Sequence, residues 1–381
     1  MKKNERKKPL IALVTNNDDD VYCFRKEIID SLIKNGYSVL ISCPYGEKLN
    51  LIDDIEYIYD DPVIDRRGTS VTADAKLFFH YMSVLKKYRP DVVLTYTVKP
   101  NVYCGIASHF LKIPVISNVT GFGSVLQKSG MIRKFIMTLF KISFRRSACV
   151  MFQNSTNMRF AEESGMVKGG RLLIPGSGVN TDRFPLIKYP DGGDGINGGK
   201  VVFNYIGRIL KEKGVDVYIE AAKRIKKKYP NTEFNMLGFI EPTEIYYEKE
   251  LKELEKDGII RYFGSQKDVR PFIALSHATI HPSMYGEGMS NVLLESASSG
   301  RPVITTDNPG CRETFIDSET GLLFKGGDAD SLCNIIERFL SMPNEARAEM
   351  GARGREYIKS NFSRDIVADA YLKKIGEILS K

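Results

Sequence analysis

The feature that most constrains this chain is a rhythm that runs through it twice. Short apolar runs alternate with amphipathic stretches of helical period. Leu10–Thr15 (LIALVT) reads as a buried strand, and Tyr22–Asn35 as the helix after it, closed by Gly36. Tyr37–Cys43 is the next strand, Val71–Tyr88 a helix and Val92–Tyr96 a strand. Asn101–Leu111, Val115–Asn118 and Met131–Arg146 continue the alternation. Strands that are apolar throughout, joined by helices, belong to a parallel sheet covered on both faces.

Residues 188–199 then hold five glycines and one proline, the composition of a linker. Beyond it the rhythm restarts. Val201–Ile206 is a strand and Val215–Tyr229 a helix. Strands follow at Glu233–Leu237, Ile259–Phe263, Ala278–His281 and Val303–Thr306, and helices at Asp328–Ser341 and Asn344–Ser360. The expected fold is α/β, with two Rossmann-like doubly wound domains over 1–187 and 200–362. The final helix, 363–381, is expected to pack back on the first. Open α/β sheets bind ligands beyond the carboxyl ends of their strands, so the two domains are expected to face a central cleft. A chain of 381 residues also exceeds one ordinary core.

Composition removes other classes. No run of about 18 uncharged apolar residues occurs, so no membrane-spanning helix is expected. The basic start, MKKNERKKP, leads into no apolar signal-peptide core, so a cytoplasmic protein is expected. Six scattered cysteines without a CxxC pair argue against disulfides and a cysteine metal site. The net charge of +8 is uneven. Residues 92–185 hold 12 basic and 3 acidic residues, whereas 1–91 are balanced at 15 each and 186–381 hold 28 and 29. A local excess of this kind calls for an anionic partner.

Two constellations carry chemistry. In Tyr285-Gly286-Glu287-Gly288-Met289-Ser290-Asn291-Val292-Leu293-Leu294-Glu295, a glycine-flanked loop follows the strand His277–Pro282 and opens a helix. Free N–H groups and the positive end of the helix dipole make such a start an anion site suited to a diphosphate. Carboxylates repel phosphate, so the partners of Glu287 and Glu295 should be sugar hydroxyls. The second constellation, Gly207-Arg208-Ile209-Leu210-Lys211-Glu212-Lys213-Gly214, directly follows the strand Val201–Ile206. Gly207 lets a ligand approach the backbone, Arg208 offers a planar fork, and Lys213 a point charge. Two cations and a helix start converging on a diphosphate would stabilise a departing nucleotide without a metal.

These motifs resemble those of the family 4 glycosyltransferases with the GT-B fold, over nearly the whole chain. The family's two glutamates separated by seven residues match Glu287 and Glu295, and its phosphate-binding pair matches Arg208 and Lys213. Thr97-Val98-Lys99-Pro100-Asn101-Val102-Tyr103, Thr120-Gly121-Phe122-Gly123 and Pro309-Gly310-Cys311-Arg312-Glu313 resemble a subgroup that extends lipid-linked saccharides in bacterial surface-glycan and glycoprotein assembly. The resemblance implies retaining transfer from a UDP-sugar to an undecaprenyl-diphosphate-linked saccharide. It gives catalytic roles to Glu287, Arg208 and Lys213. Donor contacts would come from Gly207, Arg208, Lys213, Glu287, Gly288, Met289, Ser290, Asn291, Glu295 and Asn16. Acceptor or membrane contacts would come from Lys99, Asn101, Thr120, Gly121, Arg133, Lys134 and Arg145. No cofactor and no metal are expected.

The chain departs from the family at its first loop, where many members have glycines and this one has Thr15-Asn16-Asn17-Asp18-Asp19-Asp20. We expect the three acids to form a solvated loop rather than a metal site. Asp328-Ala329-Asp330 mimics a metal-binding motif, but it sits where a helix begins and reads as an N-cap. None of His80, His109, His277 and His281 matches the acceptor-side histidine of some relatives, and the last two read as a packed or cleft-edge pair.

Residues 125–147 interleave Lys128, Arg133, Lys134, Lys141, Arg145 and Arg146 with Met131, Ile132, Phe135, Ile136, Leu139, Phe140 and Phe144. That mixture suits a helix lying on anionic lipid, at the cytosolic face of the membrane, where a lipid-diphosphate acceptor would be. The alternative is a core helix with a basic edge. No nucleic-acid module accompanies the charge. Two other functions stay open: a UDP-sugar 2-epimerase or hydrolase on the same architecture, and a non-catalytic sugar-nucleotide-binding subunit.

Overall fold

The computed structural model describes residues 8–52, 55–65, 68, 70–122, 130–191 and 199–380. The tail Lys2–Lys7, Gly123, Lys128 and the linker residues 192–198 lie outside the described residues, as does the side chain of Ile132.

The chain divides into two compact units, Met1–Gly178 with Arg364–Lys381, and Val179–Ser363. The first contains β1 (Leu10–Val14), α1 (Asp18–Lys34), β2 (Ser38–Ser42), β3 (Ile58–Asp60), α2 (Val71–Tyr88), β4 (Val92–Tyr96), α3 (Gly105–Phe110), β5 (Val115–Val119), α4 (Gly130–Phe144), β6 (Cys149–Phe152), α5 (Ser155–Glu163) and β7 (Gly170–Leu173). Its strands run parallel in the order β3-β2-β1-β4-β5-β6-β7. β1 shows why the apolar runs are continuous. Ile11 and Leu13 pack on α1 through Val21, Ile28 and Ile29, while Leu10, Ala12 and Val14 pack with Leu77, Tyr81 and Leu85 of α2 on the other face. Successive side chains point to opposite faces, and both faces are covered.

The second unit contains β8 (Val201–Ile206), α6 (Val215–Lys228), β9 (Thr232–Leu237), α7 (Tyr247–Lys256), β10 (Arg261–Tyr262), α8 (Arg270–Leu275), β11 (Ala278–His281), α9 (Asn291–Ser298), β12 (Val303–Thr306), β13 (Gly321–Phe324), α10 (Ala329–Ser341) and α11 (Asn344–Phe362). Its sheet is also parallel, in the order β10-β9-β8-β11-β12-β13. The last helix, α12 (Arg364–Leu379), returns to the first unit, where Val367, Tyr371 and Ile375 join the core around α1.

Three details differ from the sequence reading. The chain passes between units at Gly178–Val179 and again at Ser363–Arg364, not at 187. The physical reason is a strap over residues 181–189, held on the second unit by charged donors. Arg355 donates to the carbonyls of Thr181 and Phe184. Fully buried Arg301 donates to Ile187 at 3.0 Å and Lys188 at 2.9 Å, and also to Ile273 and Ala274 at the end of α8. The three acids Asp18–Asp20 are not a loop but the first turn of α1. Asn17 caps that helix by accepting the Asp20 N–H at 2.6 Å, and the acids complement the helix dipole. Four strands are absent from the sequence reading, β3, β6, β7 and β13, each only three or four residues long. Asp328 is the N-cap of α10 and accepts the Ser331 N–H at 2.9 Å.

Candidate functional site

The strand order of the second unit reverses direction at β8 and β11, the switch point where an open α/β sheet leaves a crevice at its carboxyl edge. The two sequence constellations are the loops that leave these two strands. Gly214 (φ +75°) brings them together, because a Cβ there would lie 2.0 Å from the Pro282 carbonyl oxygen. Only glycine permits that approach. The Met284 N–H donates to the Glu212 carbonyl at 2.9 Å and fastens one loop to the other. The loop after β12 closes the third side: the N–H groups of Glu287 and Ser290 donate to the carbonyls of Pro309 and Gly310, each at 2.8 Å.

Inside this frame Lys213 Nζ lies 2.7 Å from Glu287 Oε1, with both side chains nearly buried. His281 Nε2 lies 2.9 Å from the same oxygen. Arg208 donates to Glu241 Oε1 at 2.8 Å and reaches the Tyr285 hydroxyl at 3.5 Å, while the Lys213 ammonium sits 5.2 Å from the Tyr285 ring centre. Burial opposes ionisation of Glu287, but Lys213 and His281 outweigh it and hold its carboxyl well below the usual carboxylate range. Burial would likewise lower the Lys213 ammonium, yet the Glu287 charge raises it. Arg208 follows the same pattern with Glu241 as its partner. The site therefore holds two fully charged cations at neutral pH.

The start of α9 is narrower than expected as an anion site, because the Ser290 N–H is already given to Gly310. The first bond of the helix is from Leu294 to Ser290, so the N–H groups of Asn291, Val292 and Leu293 precede it. Ser290 Oγ and Asn291 Oδ1 are buried there without a hydrogen-bond partner. Gly288 and Met289 are buried beneath the loop, and Glu295 is half-buried one turn into α9. Gly207 donates to the Leu237 carbonyl at 2.9 Å. Its own carbonyl lies where a Cβ on Gly238 would be, 1.8 Å away, so Gly238 (φ +143°) keeps this edge open.

His281, Glu287 and Cys311 bring ligand-type atoms within 4.8 Å of one another, a metal-like grouping among the described residues. The Lys213 ammonium already supplies positive charge to the carboxylate of that group. Burial, and then the Glu287 charge, push the Cys311 thiol up, away from the thiolate a metal would need.

The acceptor-side expectations separate. Lys99 is paired with Asp74 at 2.7 Å, and Asp74 also accepts the Tyr103 hydroxyl. Asn101 is buried, accepts from Thr95 at 2.7 Å and donates to the Asn118 carbonyl at 2.8 Å, which ties it to the carboxyl ends of β4 and β5. Thr120 and Gly121 follow β5, half-buried. Asn16 follows β1 and has a buried Oδ1 without a partner. Thr97 follows β4 with φ +65°, strained for a β-branched residue, and its buried hydroxyl is also unpartnered. β1 and β4 flank the switch point of the first sheet. Arg133, Lys134 and Arg145 are exposed on or just after α4; Arg145 donates to the Gly165 carbonyl at 3.0 Å. α4 sends Phe140 and Phe144 into the core but turns Met131 (86% exposed), Phe135 (59%) and Ile142 (48%) outward.

Sequence reasoning missed His281 and Glu241. His281 had a signal: it ends β11 two residues after Thr279, whose hydroxyl bonds Ser296 of α9, so period two aims it at the α9 side, toward the Glu287 loop. Glu241 had none, since the pairing of β8 with β9 brings it to Arg208.

Two family models cover the chain in succession: glycosyl transferase 4-like over residues 10–154, and glycosyl transferases group 1 over residues 192–357. The N,N'-diacetylbacillosaminyl-diphospho-undecaprenol alpha-1,3-N-acetylgalactosaminyltransferase of Campylobacter jejuni is 24% identical over 97% of this chain and 99% of its own length. The UDP-Gal:alpha-D-GlcNAc-diphosphoundecaprenol alpha-1,3-galactosyltransferase of Escherichia coli is 24% identical over 78% and 79%. Among solved structures, Anabaena HepE in complex with UDP and glucose superposes with a TM-score of 0.79 at 16% identity, covering 97% of this chain and all of that one.

Proposed function

This chain belongs to the family 4 glycosyltransferases, a hexosyltransferase of the GT-B fold, and we propose that it moves a hexose from a UDP-sugar to a saccharide carried on undecaprenyl diphosphate. The observation that carries the donor half is the meeting, at one switch point, of the loop that holds Arg208 and Lys213 with the Glu287 loop that opens α9. A nucleoside diphosphate there meets two permanent cations and the unpaired N–H groups of a helix. Glu287 and Glu295 are then the acceptors for hydroxyls of the hexose and the ribose. UDP as the nucleotide is supported by the names of the Escherichia coli relative and the Anabaena complex. The polyprenyl diphosphate acceptor is supported by the names of the two bacterial relatives.

The reaction proceeds with retention. The bond from the anomeric carbon to the diphosphate breaks, and the acceptor hydroxyl forms the new bond on the same face. Its proton passes to the departing phosphate. Arg208, Lys213 and the α9 N–H groups stabilise the charge that grows on the leaving group, so no metal is required. The outward stripe of α4 holds the enzyme on the cytosolic face of an anionic membrane, where its acceptor resides. No helix among the described residues is long and apolar enough to cross that membrane.

Thermal stability against UDP, GDP, ADP, CMP and NAD, each with and without EDTA, tests the donor reading. A ligand of the native state raises the melting temperature. A UDP-selective rise that EDTA leaves unchanged is expected. Preference for another nucleotide would replace the donor class.

A further inference from the structure

The carboxylate of Glu287 is held by two different kinds of donor. Lys213 carries its ammonium, a point charge, at the end of a four-carbon stem in the loop after β8. His281 is the last residue of β11, a central strand with β8 on one side and β12 on the other, and its side chain is 2% exposed. The Thr305 hydroxyl donates to the His281 carbonyl at 2.8 Å and fixes the backbone there. Because Nε2 faces a carboxylate oxygen, that nitrogen carries the proton and donates it. Nδ1 is buried without a partner, so the ring is ordered by its bond to Glu287 and by packing.

Both donors meet the same oxygen, Oε1. They differ in what happens when a diphosphate arrives. An ammonium within reach of a doubly charged diphosphate is drawn toward it, and the bond from Lys213 to Glu287 weakens or breaks. The imidazole cannot follow, because it sits on a rigid strand. We propose that His281 is the positioning residue of the active site: it keeps Glu287 oriented toward the hexose while Lys213 is lent to the leaving group. This rests on the donor reading above and adds a division of labour to it.

The test uses full-length protein with UDP and UDP-N-acetylgalactosamine or UDP-galactose as probes, and two variants. His281→Leu removes the donor. His281→Gln returns an N–H at similar reach. Nucleotide affinity, measured by calorimetry with UDP, should stay within about twofold of wild type in both. Turnover, read as UDP freed when the hexose passes to an undecaprenyl-diphosphate-linked saccharide, should fall about 10- to 100-fold in His281→Leu, the worth of one hydrogen bond to a charged group. The loss should lie in kcat and in the affinity gained from the hexose, and His281→Gln should recover most of it. Equal losses in the two variants, in step with equally lowered melting temperatures, would reduce His281 to a packing residue. Wild-type turnover in His281→Leu would overturn the inference and leave the donor reading standing. A wild-type protein that binds no UDP and no UDP-hexose would overturn both.

Discussion

Lys213→Met should destabilise the second unit even with no ligand present. The substitution keeps the length of the side chain and removes its charge, leaving Glu287 nearly buried with His281 as the remaining donor among the contacts described. Breaking a buried ion pair by removing one partner costs about 3–5 kcal/mol. With side-chain exposures of 11% and 13%, the lower end applies. For a unit of this size about 3 kcal/mol lowers the melting temperature by about 6–12 °C. Glu287→Gln should cost a similar amount, since it strands the ammonium. The double variant should be more stable than the sum of the two predicts, by about 1–3 kcal/mol. The pH dependence has a definite sign. The Glu287 carboxyl is depressed in the fold, so its contribution is complete above about pH 4.3 and disappears as pH falls toward the folded value. The Lys213 ammonium is raised, so its contribution is complete below about pH 10.4 and disappears as pH rises through the folded value. The gap between wild type and Lys213→Met is therefore greatest from about pH 5 to about pH 10. Urea denaturation of the four proteins across that range is the assay. Single-variant costs that add within about 0.5 kcal/mol would refute the pairing.

Three further outcomes follow from the same structure. Arg208→Ala should weaken UDP binding about 10- to 100-fold, and Glu295→Ala should weaken UDP more than a ribose-free diphosphate; calorimetry with UDP and with inorganic diphosphate reads both. Arg133→Glu combined with Lys134→Glu should cut binding to vesicles containing anionic lipid at least about tenfold, with no change in melting temperature, whereas Phe135→Ser should weaken binding also at high salt. Arg301→Met should destabilise the second unit by about 3 kcal/mol or more, because the carbonyls of Ile187, Lys188, Ile273 and Ala274 lose their donor together. Limited proteolysis should then cut the strap at 181–189 first.

Periodicity and spacing by themselves determined the parallel strand–helix rhythm of both units, the strands β4, β8, β11 and β12 to the residue, and the pair of loops that carry Arg208, Lys213 and Glu287. Those signals are local: apolar runs are continuous because both faces of a parallel sheet are covered, and a glycine-flanked loop is visible wherever strand meets helix. The tri-acid differs for a local reason too: Asn17 caps α1, so the acids open a helix instead of ending a loop. What only the tertiary structure decided is which charge meets which partner. Lys99 and Lys213 look alike in sequence. Each meets a carboxylate at 2.7 Å, Lys99 that of Asp74 on α2 and Lys213 that of Glu287 in the loop that opens α9. Asn101, a candidate ligand residue in the sequence, also ties β4 to β5. His281 reads as a packed or cleft-edge residue and holds Glu287, and the exposed apolar stripe of α4 is distinguished from its buried one by what α4 packs against. The partners come from strands and loops distant in sequence, so their pairing depends on strand order and register, which no local pattern records.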